Sequence, residues 1–296
     1  MARQNPHRPF TPDPSQMAVW PGVSGNTVNG LGETETRRPT MVYWSSDPDK
    51  ITHGPLQRWF FTVDPGIPDF GEARKLRQEI FAEPLPPLAE TAAERTPHQW
   101  TDALGAFVEA GHCEKVGVTT MQEDWVFEGH EVSQSRVIIA GVQHDFDEIS
   151  KAPAPKAGAE VMRQYNRAAR VAKRIAGWLR EQGWEAEPVT GPMTGALALI
   201  PPALACGFGE LGKHGSIIDR DLGASFRLSA VLTDAPLAPT PSATHGIDDF
   251  CMNCRVCEDA CPPKHFSQRN RPCAGSRSGT STSINACPSS TRPRAA

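Results

Sequence analysis

The sequence predicts a mixed α/β (α+β) core followed by a small cysteine-rich module. Its 296 residues are enough for one large domain or two unequal ones. Helical and strand-like patterns alternate from about residue 101 onward, which is typical of a fold that combines helices with a sheet. Six of the 8 cysteines lie at or after Cys251. We therefore divide the chain into an N-terminal wrapping segment (1–100), a core (101–244) and a cysteine module (245–296).

The elements of the first half follow from local patterns. The N-terminal segment is rich in proline and shows little periodicity, apart from a helix-like stretch from Glu72 to Glu83. The core begins with a predicted helix from His98 to Ala110 and a short strand from Val116 to Thr120. The strand predicted from Arg136 to Val142 is apolar without interruption after Arg136, which indicates burial on both faces.

The longest predicted helix runs from Glu160 to Gln182. Its apolar side chains recur at steps of three and four residues, and Gly183 ends the pattern. Tyr165 lies on the apolar face of this helix. A second helical run is expected from Gly195 to Cys206, and a strand from Ser225 to Thr233 closes the core.

The charge balance and hydropathy exclude several classes of protein. Basic and acidic side chains number 30 and 34, for a formal net charge of -4. A protein that binds nucleic acid through its phosphates needs a basic surface, so this class is disfavoured. No apolar run approaches the roughly 18 residues of a membrane span. The polar N-terminal stretch also lacks the apolar centre of a secretion signal. The sequence thus predicts a cytoplasmic protein.

The cysteine module carries the most specific motif. Cys251, Cys254, Cys257 and Cys261 are separated by two, two and three residues, and Pro262 follows the last. This is the bacterial ferredoxin spacing, in which three thiolates bind one 4Fe-4S cluster and the cysteine before proline binds a second. A zinc knuckle is the alternative, although zinc sites usually pair two separate C-x-x-C units.

The two remaining cysteines and the absent motifs narrow the chemistry further. Cys113 and Cys206 stand apart from the module, and we predict that both are small core residues rather than nucleophiles. The sequence contains no G-x-S-x-G, H-E-x-x-H or P-loop motif. Hydrolase and nucleoside-triphosphatase functions are therefore not indicated.

A glycine-rich loop precedes the cysteine module. Gly207, Gly209 and Gly212 follow one another closely, and glycine lets a backbone approach a ligand. Because ferredoxin-type modules pass electrons to a cofactor, the loop is a candidate binding site for one. A tight turn would also explain the glycines, but it would not explain the neighbouring pair Lys213 and His214.

These parts together resemble the corrinoid and iron–sulfur reductive dehalogenases and, more distantly, the epoxyqueuosine reductases. The resemblance covers residues 136–262, in the strand at 137–142, the glycine loop, the strand at 226–234 and the cysteine run. It implies a nitroreductase-like core that binds cobalamin, followed by an incomplete ferredoxin-like domain. The residues that the resemblance places at the edge of the corrinoid are Gly207, Gly209, Gly212, Lys213 and His214.

The resemblance also implies a reaction, the replacement of halogen by hydrogen on an organohalide. In the family, reduced cobalt activates the carbon–halogen bond and a tyrosine delivers the proton. Tyr165 matches this proton donor. Arg227, 62 residues later (227 − 165), matches its basic partner, and a nearby cation favours the phenolate. The structural alternatives are a buried aromatic for Tyr165 and a surface strand cation for Arg227.

Partners and alternative functions follow from the same resemblance. It implies a halogenated aromatic substrate, an electron donor such as ferredoxin, flavodoxin or a reductase, and no nucleic acid. One alternative is an epoxyqueuosine reductase-like enzyme acting on tRNA, although that family uses a carboxylate acid instead of a Tyr/Arg pair. The other is a non-catalytic remnant that binds iron–sulfur or corrinoid without turnover.

The end of the sequence departs from the family pattern. Where a second cysteine motif is expected, the residues from Arg277 to Pro288 form a polar, Ser- and Thr-rich tract. Codons read in a shifted frame would permit the family sequence K-W-Y-V-D-F-D there. A frameshift upstream of Arg277 is therefore one interpretation, with Cys287 as an accident of frame, and a disordered tail is the other. Either way, the chain lacks the remaining cluster ligands, and its activity would be impaired.

Overall fold

The computed structural model describes residues 14–21, 37–41, 44–60, 67–191, 194–212, 214–242, 244–254 and 256–260. The mixed helix and sheet class predicted from the sequence is confirmed. None of the described helices is long and apolar enough to cross a membrane. The α-helices are α1 (Pro14–Ala18), α2 (Gly54–Phe60), α3 (Pro68–Ala82), α4 (Pro97–Ala103), α5 (Gly105–Glu109), α6 (Phe146–Ile149), α7 (Pro155–Glu181), α8 (Ile200–Ala205), α9 (Ile247–Asn253) and α10 (Val256–Ala260). The strands are β1 (Lys115–Thr120), β2 (Arg136–Gln143), β3 (Ala186–Val189), β4 (Glu210–Leu211), β5 (Ile217–Ile218) and β6 (Phe226–Thr233).

A four-stranded antiparallel sheet forms the centre of the fold. Its strand order is β1-β2-β6-β3, and β4 and β5 form a separate short pair. Ile138 and Val142 of β2 pack in the cluster that includes the apolar face of α7, whereas Val137 and Ile139 pack in a second cluster with Phe208. Burial on both faces is the physical reason for the uninterrupted apolar run in this strand.

Helix α7 covers one face of the sheet and also anchors the segment before it. It begins at Pro155, earlier than the apolar periodicity predicts, because proline suits the first helical turn, where no N–H partner is needed. Asn166 Nδ2 donates to the Ala73 carbonyl of α3 at 2.7 Å, and Lys173 Nζ donates to the Ile80 carbonyl at 2.6 Å. The stretch after α3 continues along α7 through hydrogen bonds to Arg180.

Two predicted helices differ from the structure, and strand β3 was not predicted. The helix predicted from Gly195 to Cys206 is confined to α8, because Leu197 forms a β-bridge with Val126. The helix predicted from His98 to Ala110 breaks at Leu104 into α4 and α5. Strand β3 was missed because it is short and contains a proline, which an edge strand tolerates.

A buried ion pair ties β1 to the turn that follows β5. Lys115 Nζ lies 2.6 Å from Asp219 Oδ2 and donates to the Gly207 carbonyl at 2.8 Å. The Asp219 side chain has 0% exposure, and its Oδ1 accepts the backbone N–H groups of Asp221 and Leu222. Burial alone would raise the pKa of Asp219, but the hydrogen bond from Lys115, those of the two backbone N–H groups and the Lys115 charge lower it overall.

Candidate functional site

The structure brings Tyr165 and Arg227 together. The guanidinium carbon of Arg227 lies 4.6 Å from the centroid of the Tyr165 ring, within the range of a favourable cation–π contact. Tyr165 is half-buried on α7, and Arg227 is held near the start of β6 by pairing with Val142 of β2. The ring of Tyr165 also lies close to the backbone of Gly191. The pairing supports the roles implied by the family resemblance, which themselves stay predictions.

His144, immediately after β2, lies next to this pair. It is buried, its Nδ1 is 3.0 Å from Ser225 Oγ, and its Nε2 has no hydrogen-bond partner among the described residues. Burial and then the Arg227 charge lower the pKa of His144, and the backbone hydrogen bond of Ser225 and the Glu160 charge offset them only in part. His144 is therefore neutral at pH 7, because its pKa lies below the ordinary 6.5.

A buried carboxylate completes the surroundings on α7. Glu160 is only 3% exposed and accepts hydrogen bonds from the Asp145 N–H at 2.8 Å, from Gln164 Nε2 at 2.8 Å and from Arg163 Nε at 3.1 Å. Three donors satisfy its charge, since buried carboxylates require such partners. The hydrogen bond to Gln164 also orients that amide, whose Oε1 is buried and unpaired within the described part of the chain.

Arg77 of α3 is a further cation near Tyr165. It is half-buried, its guanidinium carbon lies 4.7 Å from the centroid of the Phe81 ring, and its Nη1 is buried with no hydrogen-bond partner in the described structure. Burial lowers the pKa of Arg77, whereas the Coulombic interaction with Tyr165 acts in the opposite direction. Nothing in the local sequence distinguishes Arg77 from Arg74, which is exposed.

The unpaired polar atoms indicate where a ligand would bind. Buried polar groups in proteins almost always have hydrogen-bond partners. Among the described residues, five buried polar atoms without a hydrogen-bond partner occur in the neighbourhood of Tyr165, on Arg77, His144, Gln164, Asn166 and Arg227. Arg77 Nη1 and Arg227 Nε can donate hydrogen bonds to a negatively charged group, whereas the amide oxygens of Gln164 and Asn166 can only accept. The Tyr165 ring lies beside Arg227. His144, Glu160 and Arg77 were not predicted from the sequence, although a polar pair directly after a buried strand could have indicated His144.

The glycine loop is explained by its own packing. Gly207 and Gly209 have φ of 85° and 99°, in the left-handed region that favours glycine. A Cβ on Gly209 would lie 2.0 Å from the Ile218 carbonyl oxygen, and one on Gly207 would lie 2.8 Å from that of Pro241. A Cβ on Gly212 would approach the Ile218 side chain at 2.6 Å. The described loop therefore shows no open cradle for a corrinoid, and the contact predicted for these glycines stays a prediction.

The structure gives little support for the other two predicted corrinoid contacts, Lys213 and His214. Lys213 lies outside the described residues. His214 Nδ1 accepts the Ser216 N–H at 3.0 Å, and burial lowers the pKa of His214. This histidine stabilises its own turn, so its sequence position alone does not require a cofactor.

The described cysteines do not form a cluster site. Cys251 lies in α9, Cys254 follows that helix, Cys257 lies in α10, and Cys261 falls outside the described residues with the rest of the module. No three His, Cys, Asp or Glu side chains in the described part of the chain are placed to hold a metal ion. Cysteine thiolates are the usual ligands of iron–sulfur clusters, and the cluster predicted for these cysteines stays a prediction.

The isolated cysteines have the environment expected of core residues. Cys113 and Cys206 are each 1% exposed. Burial raises the pKa of Cys113 to about 11 and also raises that of Cys206. Because the thiolate is the nucleophile, these thiols are poorly suited to covalent catalysis.

Glu210 of the glycine loop forms hydrogen bonds with the backbone at the start of α9. Its Oε2 accepts the His245 N–H at 2.7 Å and the Ile247 N–H at 3.0 Å. We expect Glu210→Gln to accelerate amide hydrogen exchange in α9 about tenfold, the effect of weakening a charge-assisted hydrogen bond by roughly 1.4 kcal/mol. Glu187→Gln, at an exposed site on β3, is the matched control. Unchanged exchange in α9 would show that this contact contributes nothing.

Comparisons with known proteins place these observations in context. No protein-family model matches the sequence. A tetrachloroethene reductive dehalogenase of Desulfitobacterium hafniense is 32% identical over 170 residues, which cover 57% of this chain and 30% of that protein. An epoxyqueuosine reductase of Synechococcus sp. is 34% identical over 96 residues, covering 30% of this chain and 27% of the relative. The chain thus spans about 30% of the length of the first relative.

Solved structures show the same relationship at the level of the fold. A catabolic reductive dehalogenase in complex with 3-bromo-4-hydroxybenzoic acid matches with a TM-score of 0.62 and 18% identity, over 80% of this chain and 36% of that one. A reductive dehalogenase described in terms of B12-dependent dehalogenation matches with a TM-score of 0.56 and 21% identity, over 66% of this chain and 30% of that one. These matches show the same fold, and the sequence similarity confirms the predicted resemblance: the chain is similar to reductive dehalogenases over about 30% of their length and, more distantly, to the epoxyqueuosine reductases.

Proposed function

We propose that this chain is the proton-delivering part of a reductive dehalogenase, which replaces halogen by hydrogen on an organohalide. The observation that carries the proposal is the Arg227 guanidinium 4.6 Å from the centroid of the Tyr165 ring. The reaction consumes two electrons and one proton, breaks the carbon–halogen bond, forms a carbon–hydrogen bond and releases halide. Tyr165 supplies the proton in this scheme.

The surroundings of Tyr165 suit proton donation. When its hydroxyl gives up the proton, the negative charge spreads over the ring that faces Arg227, and Arg77 lies within Coulombic reach. Two cations near a developing anion stabilise it, and partial burial strengthens the attraction because less water screens it. General acid catalysis of this kind contributes roughly 10² to 10⁴ in rate.

The remaining polar residues keep the pair in place. Pairing between β2 and β6 fixes the backbone of Arg227, and His144 and Ser225 join the ends of the two strands through a side-chain contact of 3.0 Å. Because His144 is neutral, it adds no third positive charge. Its Nε2 is available to bind a polar substrate group.

The cofactors and partners are part of the same proposal. Cobalamin and 4Fe-4S clusters would supply the electrons, in keeping with the B12 dependence named for one structural neighbour and with the ferredoxin spacing of the cysteines. The described residues show neither a corrinoid cradle nor converging thiols, so we assign them no step in electron transfer. A halogenated aromatic substrate, a ferredoxin, flavodoxin or reductase as electron donor, and a cytoplasmic location complete the proposal.

The proposal is tested by halide release. The full chain is supplied anaerobically with cobalamin, iron, sulfide and a low-potential reductant, and 3-bromo-4-hydroxybenzoate is added. We expect bromide and 4-hydroxybenzoate to accumulate in equal amounts, above a control with the same components and no protein. Release no faster than in that control would refute the proposal. Corrinoid retained through gel filtration without halide release would instead favour the non-catalytic remnant.

A further inference from the structure

We propose that Arg77 is a second ligand-binding cation of the Tyr165 site and that it selects substrates carrying an ionised oxygen, such as aromatic carboxylates and phenolates. The inference rests on the proposed function and extends it to substrate choice. It concerns a residue of the N-terminal segment, outside the part of the sequence that carries the family resemblance.

Helix packing directs Arg77 toward the site. Ala73 and Ile80 are 4% and 2% exposed, and Arg77 lies four residues after the first and three before the second, so it shares their face of α3. Hydrogen bonds to the carbonyls of Ala73 and Ile80 hold this face against α7. Asn166, which donates to the Ala73 carbonyl, is the neighbour of Tyr165, so this face of α3 lies beside the site. The Arg77 guanidinium packs over the ring of Phe81, one turn further along the same helix.

Burying part of the Arg77 guanidinium without a hydrogen-bond partner costs free energy. Its Nη1 is buried and unpaired among the described residues, and the guanidinium carbon lies 4.7 Å from the centroid of the Phe81 ring. A desolvated cation without an anionic partner is unfavourable. A ligand oxygen that accepts from Nη1 would relieve this cost, and Arg227 Nε is buried and unpaired in the same way.

The charges nearby favour an anion over a neutral ligand. Arg77 and Arg227 are both cationic, and His144 is neutral at pH 7. The buried carboxylate of Glu160 forms an ion pair with Arg163, whose Nε lies 3.1 Å from Oε2, so its negative charge is offset by that residue. A neutral haloalkene would offer these guanidinium groups no acceptor, whereas a carboxylate or phenolate would offer a charged one.

The test compares two ligands that differ in charge but not in shape, 4-hydroxybenzoate and 4-hydroxybenzamide. Neither contains a halogen, so binding is measured without turnover. The chain has only 2 Tyr, Tyr43 and Tyr165, so ¹³C-labelled tyrosine gives two ring environments, which Tyr43→Phe assigns. We expect Arg77→Gln to weaken the binding of the acid about tenfold or more, the usual effect of losing a charge-assisted hydrogen bond, and to change that of the amide less than about twofold.

Controls separate recognition from folding. Arg74→Gln removes an exposed cation from the same helix and should leave both affinities unchanged. Arg77→Lys keeps the charge and should restore part of the affinity for the acid. Since the buried Nη1 of Arg77 has no hydrogen-bond partner among the described residues, Arg77→Gln should not lower the urea midpoint of unfolding.

Three outcomes would overturn the inference: equal loss of acid and amide binding in Arg77→Gln, wild-type affinity for the acid in that variant, or no binding of the acid to the unaltered chain. The proposed function fails by a different result. A chain with Arg77-dependent acid binding but no bromide release retains the inference and loses the dehalogenase assignment. If bromide is released and the rate does not depend on Arg77 at any concentration of the brominated acid, the dehalogenase assignment is retained and the inference about Arg77 is lost.

Discussion

Replacing Tyr165 by phenylalanine is expected to lower the rate of bromide release from 3-bromo-4-hydroxybenzoate at least about 100-fold, the lower end of what a general acid contributes. Phenylalanine keeps the ring over which Arg227 lies, 4.6 Å from its centroid, and removes only the hydroxyl. The packing of α7 should therefore survive, and the loss should fall on kcat rather than on KM.

The measurement is bromide release over time under saturating substrate, with the protein-free mixture subtracted. Tyr43→Phe is the matched control, because it removes the other tyrosine of the chain. Binding of 4-hydroxybenzoate to Tyr165→Phe, followed by calorimetry, should stay within about threefold of wild type, since the hydroxyl contributes at most one neutral hydrogen bond. A Tyr165→Phe variant that keeps a third or more of the wild-type rate would exclude Tyr165 as the proton donor.

The parts of the fold that local sequence patterns dictate were predictable. Helix α7 is buried on one face, which produces its three- and four-residue apolar periodicity. Strand β2 is buried on both faces, which produces its uninterrupted apolar run. The start of α7 at Pro155 and the shortness of α8 were not predictable in the same way. The start of α7 depends on a polar first turn, which shows no apolar periodicity. The length of α8 depends on the β-bridge between Leu197 and Val126, a contact between distant parts of the chain.

The same distinction applies to the candidate site. Tyr165 and Arg227 could be named because both lie in segments that resemble a known family, and the structure brings them into contact. Arg77 could not be named, because its position depends on α3 docking against α7 across more than 80 residues of sequence. For the glycines, the sequence suggested a role in binding that it could not distinguish from a structural role. A glycine required by a left-handed turn, such as Gly209, cannot be told from one required by a ligand until the neighbouring backbone is known.

The buried ion pair of Lys115 and Asp219 is the contact whose loss should cost the most stability. We expect Asp219→Asn to lower the free energy of unfolding by about 3 kcal/mol, at the low end of the range for breaking a buried pair because Lys115 is 27% exposed. Asparagine keeps an oxygen for the N–H groups of Asp221 and Leu222, so the substitution isolates the charge. The measurement is urea unfolding at pH 7, with Asp221→Asn, at an exposed site in the same turn, as the control.

The pH dependence identifies the charge as the cause. Because the folded protein lowers the pKa of Asp219 below its ordinary 3.8, the pair contributes stability above that pH and loses it as the pH falls toward the folded value. Wild type should therefore lose stability more steeply below about pH 4 than Asp219→Asn, and the two curves should converge in acid. Replacing both partners, as Lys115→Met with Asp219→Asn, should recover much of the loss, because no unpaired charge then remains buried and asparagine still accepts the N–H groups of Asp221 and Leu222. If Asp219→Asn instead unfolds in parallel with wild type across this range, the stabilisation comes from the neutral hydrogen bonds of the turn and not from the ion pair.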